Sequence, residues 1–119
     1  MTTVRCFEAK KQIVCVDDFA HNVINLTTKE YHTLTVCEYE KLLLQLEGAK
    51  ELTVTEVEKH RYEIRTYYRI YRVTIGQHHK YFMEIFDGSS AMYEYIFCRT
   101  KSRCIKLMRE REQDNKMLY

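Results

Sequence analysis

The alternation of apolar and polar residues along the chain predicts a sheet built from several strands. QIVCV at 12–16 is the first of them, and residues 23–26 and 31–35 alternate around a polar connection, as in a hairpin. Four more runs of β-favouring residues follow, separated by short turns that include 76–79 and the Asp-Gly pair at 87–88. They predict an antiparallel meander of the segments 52–58, 61–75, 80–86 and 91–99.

A helix is predicted over residues 36–47. Thr35 can cap its first turn, Glu38 stands three residues later as the reciprocal partner of a capping box, and Gly48 ends the pattern. Apolar residues recur at helical spacing within the segment, and they predict that one face of the helix belongs to the core: Val36, Tyr39, Leu42, Leu43 and Leu46.

A second helix is predicted over residues 101–113, with Thr100 or Ser102 as its cap. Residues 91–111 also fit one continuous helix, but the β-favouring composition of YEYIFC favours a strand followed by a helix. Together, these segments predict an α+β fold in a single domain over residues 1–119. Its parts are a mostly antiparallel sheet of five to seven strands, one central helix and one C-terminal helix.

Arginine and tyrosine alternate with β-favouring residues in HRYEIRTYYRIYRVT, residues 60–74. Successive side chains of a strand point to opposite faces. One face is predicted to meet the core, and it carries Tyr62, Ile64, Thr66, Tyr68 and Ile70. The other face is predicted to project into solvent and contact a partner through Arg61, Arg65, Tyr67, Arg69 and Tyr71. Tyrosine and arginine are enriched at protein interfaces, and they also serve nucleic-acid binding by stacking on bases and contacting phosphates.

Charge is distributed unevenly along the chain. The net charge is only +2, yet residues 1–59 hold seven Lys or Arg against ten Asp or Glu, whereas residues 60–119 hold twelve against seven. Three cations near the start of the C-terminal helix extend the predicted partner-binding surface: Arg99, Arg103 and Lys106. The acidic first half is expected to face basic protein surfaces. The small net charge disfavours a dedicated nucleic-acid binder, because such proteins are usually strongly basic.

The cysteines bear on the expected compartment. They are odd in number and irregularly spaced: Cys6, Cys15, Cys37, Cys98 and Cys104. Most lie beside apolar or β-favouring residues, where a reduced thiol packs like a small hydrophobic group. The first residues lack the apolar segment of a secretory signal. We therefore expect free thiols and a reducing, cytoplasmic location.

No pattern in the sequence predicts catalysis, and no cofactor is expected. Three glycines are too few for a glycine-rich phosphate loop, and the cysteines and histidines lack the spacings that bind zinc. Asp17, Asp18 and His21 offer metal ligands in one segment, but an Asp-rich segment of this kind is more often a turn. Cys37 lies near a helix start, where a thiol can be activated, yet a buried structural cysteine is the favoured interpretation.

These observations predict a non-enzymatic adaptor or inhibitor that docks on a larger protein or a nucleoprotein complex. The compact profile without a catalytic motif is similar to that of small accessory and anti-defence proteins of phages and mobile elements. Direct binding of single-stranded nucleic acid is the alternative, and a small metal-dependent hydrolase is a remote one. No membrane segment is expected, since no apolar run reaches the ~18 residues that span a bilayer. An exposed sheet edge makes a homodimer a further expectation.

Residues 71–88, YRVTIGQHHKYFMEIFDG, resemble the central hairpin of the cystatins, in which a Val-x-Gly loop joins two long antiparallel strands after a helix. In this chain two residues separate Val73 from Gly76, Arg72 replaces the family's glutamine, and the strand predicted at 52–58 intervenes between helix and hairpin. The resemblance implies protease inhibition as another remote alternative.

Overall fold

The computed structural model describes residues 4–62 and 66–117. Within these residues the chain has eight strands and two helices, so the prediction of five to seven strands is too low. Each strand pairing for which the register is defined is antiparallel, which confirms an α+β fold with a mostly antiparallel sheet. Neither helix in these two ranges combines the length and apolar character needed to cross a bilayer.

The strands follow one another in the hydrogen-bonded order β4-β3-β2-β1-β5-β6-β7-β8. Their bounds are β1 (Val4–Ala9), β2 (Gln12–Asp17), β3 (Asn22–Asn25), β4 (Glu30–Thr33), β5 (Lys50–Tyr62), β6 (Thr66–Ile75), β7 (His78–Asp87) and β8 (Met92–Cys98). The helices are α1 (Val36–Gln45) and α2 (Lys101–Met117). The chain forms two compact units, described separately below: unit 1 is Met1–Val54 with Val73–Gly76, and unit 2 is Thr55–Arg72 with Gln77–Tyr119.

Unit 1 begins with a strand that the sequence pattern did not predict. β1 pairs with β2 along its whole length, and Lys10 and Lys11 connect the two strands. The φ angles of these lysines are 50° and 64°, in the left-handed region that a two-residue hairpin turn of this type requires. Asn-Gly is the usual sequence for such a turn, so two lysines provided no signal for it.

A disulfide joins the first two strands. Cys6 and Cys15 lie directly opposite each other in the register of β1 and β2, both are fully buried, and their sulfur atoms are bonded. The prediction of free thiols is therefore wrong at these two positions. It is correct for Cys37, Cys98 and Cys104, of which Cys37 is exposed and Cys104 is buried. The reducing compartment that was inferred from free thiols remains a prediction.

Helix α1 begins as predicted but lies at the surface of unit 1. The Thr35 hydroxyl accepts a hydrogen bond from the Glu38 amide (3.2 Å), and the Glu38 carboxylate accepts one from the Thr35 amide (3.0 Å), which confirms the capping box. Tyr39 and the C-cap residue Leu46 are buried, whereas Val36 is 57% exposed. The prediction of a central helix is wrong, because the apolar stripe packs on the sheet along only part of its width.

Polar contacts hold α1 to the β2–β3 connection. The Tyr39 hydroxyl donates a hydrogen bond of 2.5 Å to Asp18, and the Arg5 guanidinium donates two hydrogen bonds of 2.8 Å to the same carboxylate. The ring of His21 stacks on that of Tyr39 with 4.7 Å between centroids. Burial raises the pKa of Asp18, but the hydrogen bonds from Arg5 and Tyr39 outweigh burial and hold that pKa below its ordinary value of 3.8.

Unit 2 contains a break that the sequence did not reveal. β5 ends at Tyr62 and β6 begins at Thr66, and the two strands are neighbours in the hydrogen-bonded order, so the single strand predicted at 61–75 is wrong. The segment between them lacks Gly, Pro, Asn and Asp, which usually mark a turn. The next hairpin is confirmed: β7 pairs with β8 from Asp87↔Met92 onwards, and the Asp87 carboxylate accepts a hydrogen bond from the Ser89 amide (2.9 Å).

Helix α2 follows β8 directly, which confirms a strand followed by a helix rather than one continuous helix. The Thr100 hydroxyl accepts a hydrogen bond from the Arg103 amide at 3.1 Å, so Thr100 rather than Ser102 caps the first turn. The buried face of α2 packs on the sheet of unit 2 in a cluster that contains Cys104, Met108, Tyr68, Ile70, Met83 and Ile85.

The disulfide predicts a redox-dependent stability. Substituting Cys6→Ala and Cys15→Ala together is expected to lower the free energy of unfolding by about 2–3 kcal/mol, because the unfolded chain regains the freedom of the closed loop. Urea denaturation with and without a reducing agent measures this effect. Reduction should destabilise the wild-type protein and leave the double variant unchanged. Equal sensitivity of the two proteins to the reducing agent would contradict the disulfide.

The Tyr39–Asp18 hydrogen bond predicts an acid-dependent contribution. Tyr39→Phe is expected to cost about 1–2 kcal/mol at neutral pH, since a hydrogen bond to a charged group is lost. Because the folded-state pKa of Asp18 is lowered, its stabilising effect is present above the ordinary value of 3.8 and is lost as the pH falls through the folded value. Urea denaturation of both proteins over a pH series should therefore show the difference shrinking below pH 3.8. A difference that stays constant into strong acid would contradict the assignment.

Candidate partner-binding surface

Four residues of unit 2 form a cationic aromatic group, called here the Tyr67 cluster: Lys59, Arg61, Tyr67 and Arg69. Lys59 and Arg61 lie on β5, whereas Tyr67 and Arg69 lie on β6. The guanidinium carbon of Arg61 is 5.1 Å from the centroid of the Tyr67 ring, that of Arg69 is 6.0 Å away, and the Lys59 ammonium is 5.8 Å away. Of the five residues predicted in the Arg/Tyr segment, Arg65 lies outside the described residues, and three belong to this cluster.

The cluster concentrates positive charge on one ring. A single cation over an exposed tyrosine contributes about 0.5–1 kcal/mol, but three cations on the same ring also repel one another. Two carboxylates compensate Arg69 in part, with Glu56 at 3.5 Å and Glu84 at 3.8 Å. Lys59 and Arg61 are exposed, and Lys59 makes no ion pair with any residue in the described ranges. Lys59 therefore presents positive charge to solvent without an ion pair among the described residues.

Arg69 anchors the cluster to the interior of unit 2. Burial lowers the pKa of its guanidinium, but a hydrogen bond and charge interaction with Tyr71, together with Glu84 and Glu56, raise that pKa overall. Glu84 is itself only 3% exposed and accepts a hydrogen bond of 2.7 Å from the Tyr95 hydroxyl. Arg69 is thus partly neutralised by the buried carboxylate of Glu84, and this interaction gives it a structural role.

Tyr71 is not on the surface. Its side chain is 1% exposed, and its ring stacks on Phe82 with 5.1 Å between centroids. The next residue towards the start of the strand, Ile70, is fully buried on the other face. Both faces of β6 are therefore covered at this point, and the prediction of an exposed Tyr71 is wrong. The solvent-facing side chains of this face of β6 therefore lie before Tyr71 in the strand.

Cations also lie before α2 and along its outer side, in a group called here the helix surface: Arg99, which precedes the helix, and Arg103, Lys106 and Arg109. All four side chains are exposed, and none forms an ion pair with a residue that the structure describes. Three of them were predicted, and Arg109 adds a fourth at helical spacing from Lys106. Spacings of three residues place Arg103, Lys106 and Arg109 on one side of the helix, whereas Arg99 lies just before it.

Two further cations of α2, Lys101 and Arg111, have internal partners. The Lys101 ammonium lies 3.6 Å from Glu58, and Arg111 donates two hydrogen bonds of 2.7 and 2.6 Å to the Glu94 carboxylate. His60 on β5 pairs with Glu112 of the helix. These contacts fasten α2 to β5 and β8. Among the side chains that the structure describes, the basic residues of this helix therefore divide into those paired with the sheet and those that are exposed without an ion pair.

The helix surface and the Tyr67 cluster lie on opposite faces of the unit 2 sheet. Tyr68 and Ile70 of β6 pack with Cys104 and Met108 of α2, and residues with the other parity point away from the helix. Tyr67, Arg69 and Tyr71 occupy these alternate positions of β6, so their side chains point to the face opposite α2. The predicted partner-binding residues therefore do not form one continuous surface, and a flat partner cannot contact both groups at once.

The sequence candidates for chemistry have structural roles or no assembled site. The Asp17 carboxylate accepts hydrogen bonds from the amides of Phe19 (2.9 Å) and Ala20 (3.2 Å), which confirms that this segment is a turn. Cys37 is exposed, so its interpretation as a buried cysteine is wrong. Burial raises the pKa of the Cys104 thiol. Residues 4–62 and 66–117 contain no cluster of three or more His, Cys, Asp or Glu suited to a metal ion.

Sequence reasoning missed Lys59 and Arg109 as members of the two groups. Lys59 precedes Arg61 by two positions, so both point to the same face of β5, and extending the period-two pattern backwards would have found it. Arg109 follows Lys106 by three positions and would have been found by the helical period. The Arg/Tyr segment was assigned to begin at residue 60, which excluded Lys59. The predicted surface of the helix was assigned to end at Lys106, which excluded Arg109.

The chain was compared with protein-family models, with curated protein sequences and with solved structures, and none of the three comparisons gave a match.

The different positions of Tyr71 and Tyr67 predict different mutational costs. Tyr71→Ala is expected to lower the free energy of unfolding by about 3–5 kcal/mol, since it opens a cavity beside Phe82. Tyr67→Ala should cost only about 1 kcal/mol, the loss of partly exposed cation–π contacts. Parallel urea titrations measure both values. A larger cost at Tyr67 than at Tyr71 would contradict the burial of Tyr71.

Proposed function

We propose that this chain is a non-enzymatic binding protein, an adaptor or inhibitor of the phage or mobile-element type, that docks on a larger protein or nucleoprotein complex. The helix surface is its main contact. The observation that carries this proposal is the group of exposed cations at Arg99, Arg103, Lys106 and Arg109, none of which forms an ion pair within residues 4–62 and 66–117.

The electrostatics of α2 support a binding role, because the arrangement does not favour helix stability. Arg103, Lys106 and Arg109 repel one another at spacings of three residues, and each like-charge neighbour pair costs about 0.2–0.5 kcal/mol. The first turn also contains no acidic residue, although the partial positive charge at a helix N-terminus favours one. An anionic partner surface would remove both costs on binding.

The Tyr67 cluster is a secondary contact in this proposal. Its exposed cation Lys59 can attract an anionic group, and the Tyr67 ring is half-buried. Since the cluster lies on the other face of the sheet, a partner that uses both surfaces has to extend around unit 2 or present two separate sites. A large complex meets this condition more easily than a small globular protein.

Direct binding of single-stranded nucleic acid is the second candidate, and the helix surface supports it through phosphate contacts. Base stacking, which such binders generally combine with positive charge, has little support. Tyr71 is buried, and three cations already occupy the surroundings of the Tyr67 ring. Binding through the helix surface alone would be backbone-directed and strongly weakened by salt.

A charge-reversal experiment tests the proposal. The variant Arg103→Glu, Lys106→Glu and Arg109→Glu changes exposed side chains only, so it should fold normally. The matched control, Lys10→Glu, Lys11→Glu and Lys80→Glu, alters the net charge equally at exposed sites elsewhere. In quantitative pull-downs from lysate of the source cells or their host, the wild type and the control should retain the same dominant protein. The helix variant should bind that protein at least about tenfold more weakly.

The same three proteins separate the two candidate functions. Fluorescence anisotropy with labelled single-stranded DNA and RNA at low and physiological salt measures direct nucleic-acid binding. Tight oligonucleotide binding that falls steeply with salt, without a dominant protein partner, would favour the second candidate. Equal retention of the partner by the helix variant and the wild type, with both folded by circular dichroism, would overturn the proposed role of the helix surface.

A further inference from the structure

Unit 1 contains an open groove between the C-terminal half of α1 and the start of β5. Its volume is about 660 Å³, within the range of ~300–1,000 Å³ that is common for binding pockets. Phe7 on β1 and Leu46 at the end of α1 form its buried floor, and both are less than 10% exposed. Leu43 and Leu44 line it from the helix. The interior of the groove is therefore apolar.

Leu44 adds an exposed apolar side chain to this groove. It is 69% exposed at the edge of the groove. Exposed leucines occur singly on many proteins without consequence. Here, however, the exposed leucine borders an apolar cavity, so that a ligand in the groove would bury both together.

Acidic residues surround this apolar interior. Glu40 lies one helical turn before Leu44, Glu47 follows the helix, and Glu51 lies on β5. All three are exposed, and none makes an ion pair with a residue in the described part of the chain. Arg5 also lines the groove, but two hydrogen bonds of 2.8 Å join it to Asp18 and neutralise its charge. The rim of the groove is thus negatively charged.

We propose that this groove binds a cationic amphipathic helix of a protein partner. Apolar side chains of such a helix, spaced at i, i+3 and i+7, would enter the groove over Phe7 and Leu46, and its Lys or Arg residues would meet the three carboxylates of the rim. This is the helix-in-groove mode of peptide recognition. Nucleic acids and anionic membranes are disfavoured as occupants, since their charge has the same sign as the rim. The proposal concerns unit 1 and does not depend on the helix surface of α2.

The probe for this site is a fluorescein-labelled, 14-residue amphipathic peptide of leucine and lysine, titrated with the full chain and followed by fluorescence anisotropy at physiological salt. Saturable one-to-one binding is expected. The variant Glu40→Lys, Glu47→Lys and Glu51→Lys should bind at least about tenfold more weakly. A control with the same charge change away from the groove, Glu8→Lys, Glu30→Lys and Glu110→Lys, should bind within about threefold of the wild type, the part of the effect due to net charge alone.

The single variant Leu44→Gln tests the apolar component separately. It changes an exposed side chain, preserves every charge and should weaken the peptide about three- to tenfold by removing one apolar contact. A peptide in which glutamate replaces every lysine should not bind. Lack of binding to the wild type, equal weakening in the groove and control triple variants, or unchanged binding to Leu44→Gln would each overturn the proposal. None of these results depends on whether the α2 charge-reversal variant keeps its partner, so the two proposals fail independently.

Discussion

The alternation of side chains across β6 decides which cations of unit 2 can act together. Tyr68 and Ile70 face α2, so Tyr67, Arg69 and Tyr71 point to the other side of the sheet. One helix packed on one face therefore sorts the basic residues into two separate surfaces, although they follow one another closely in the sequence. The proposed docking mode depends on this separation, since the outer side of α2 carries a group of exposed cations that form no ion pair with the residues described.

Internal ion pairs determine how much of the basic character remains for a partner. Lys101, Arg111 and His60 are paired between α2 and the sheet, and Arg69 lies near the buried carboxylate of Glu84. Surface ion pairs contribute little to stability on average, about 0–1 kcal/mol, but they do neutralise the charges involved. Among the described residues, the exposed charges without an ion pair differ between the units: they are basic on the helix surface of unit 2 and acidic around the groove of unit 1. A small net charge for the whole chain conceals both surfaces.

The sequence predicted features that depend on local interactions. The capping box of α1, the Thr100 cap and the hairpin at Asp87 all follow from residues within a few positions of one another. Features that depend on distant neighbours were missed. The burial of Tyr71 depends on Phe82 across the sheet, and the disulfide depends on the register of β1 and β2. Arg61 and Tyr67 lie on two different strands, and the residues between them include no Gly, Pro, Asn or Asp that would have predicted a turn.

The hairpin turn at Lys10 and Lys11 carries backbone strain that the fold of unit 1 does not require. A lysine in the left-handed region is strained relative to glycine or asparagine, and both positions of the turn are strained in this way. Backbone energetics alone would favour Asn-Gly at these two positions. The two lysines are exposed and belong to neither core cluster, so the packing of the strands does not require them.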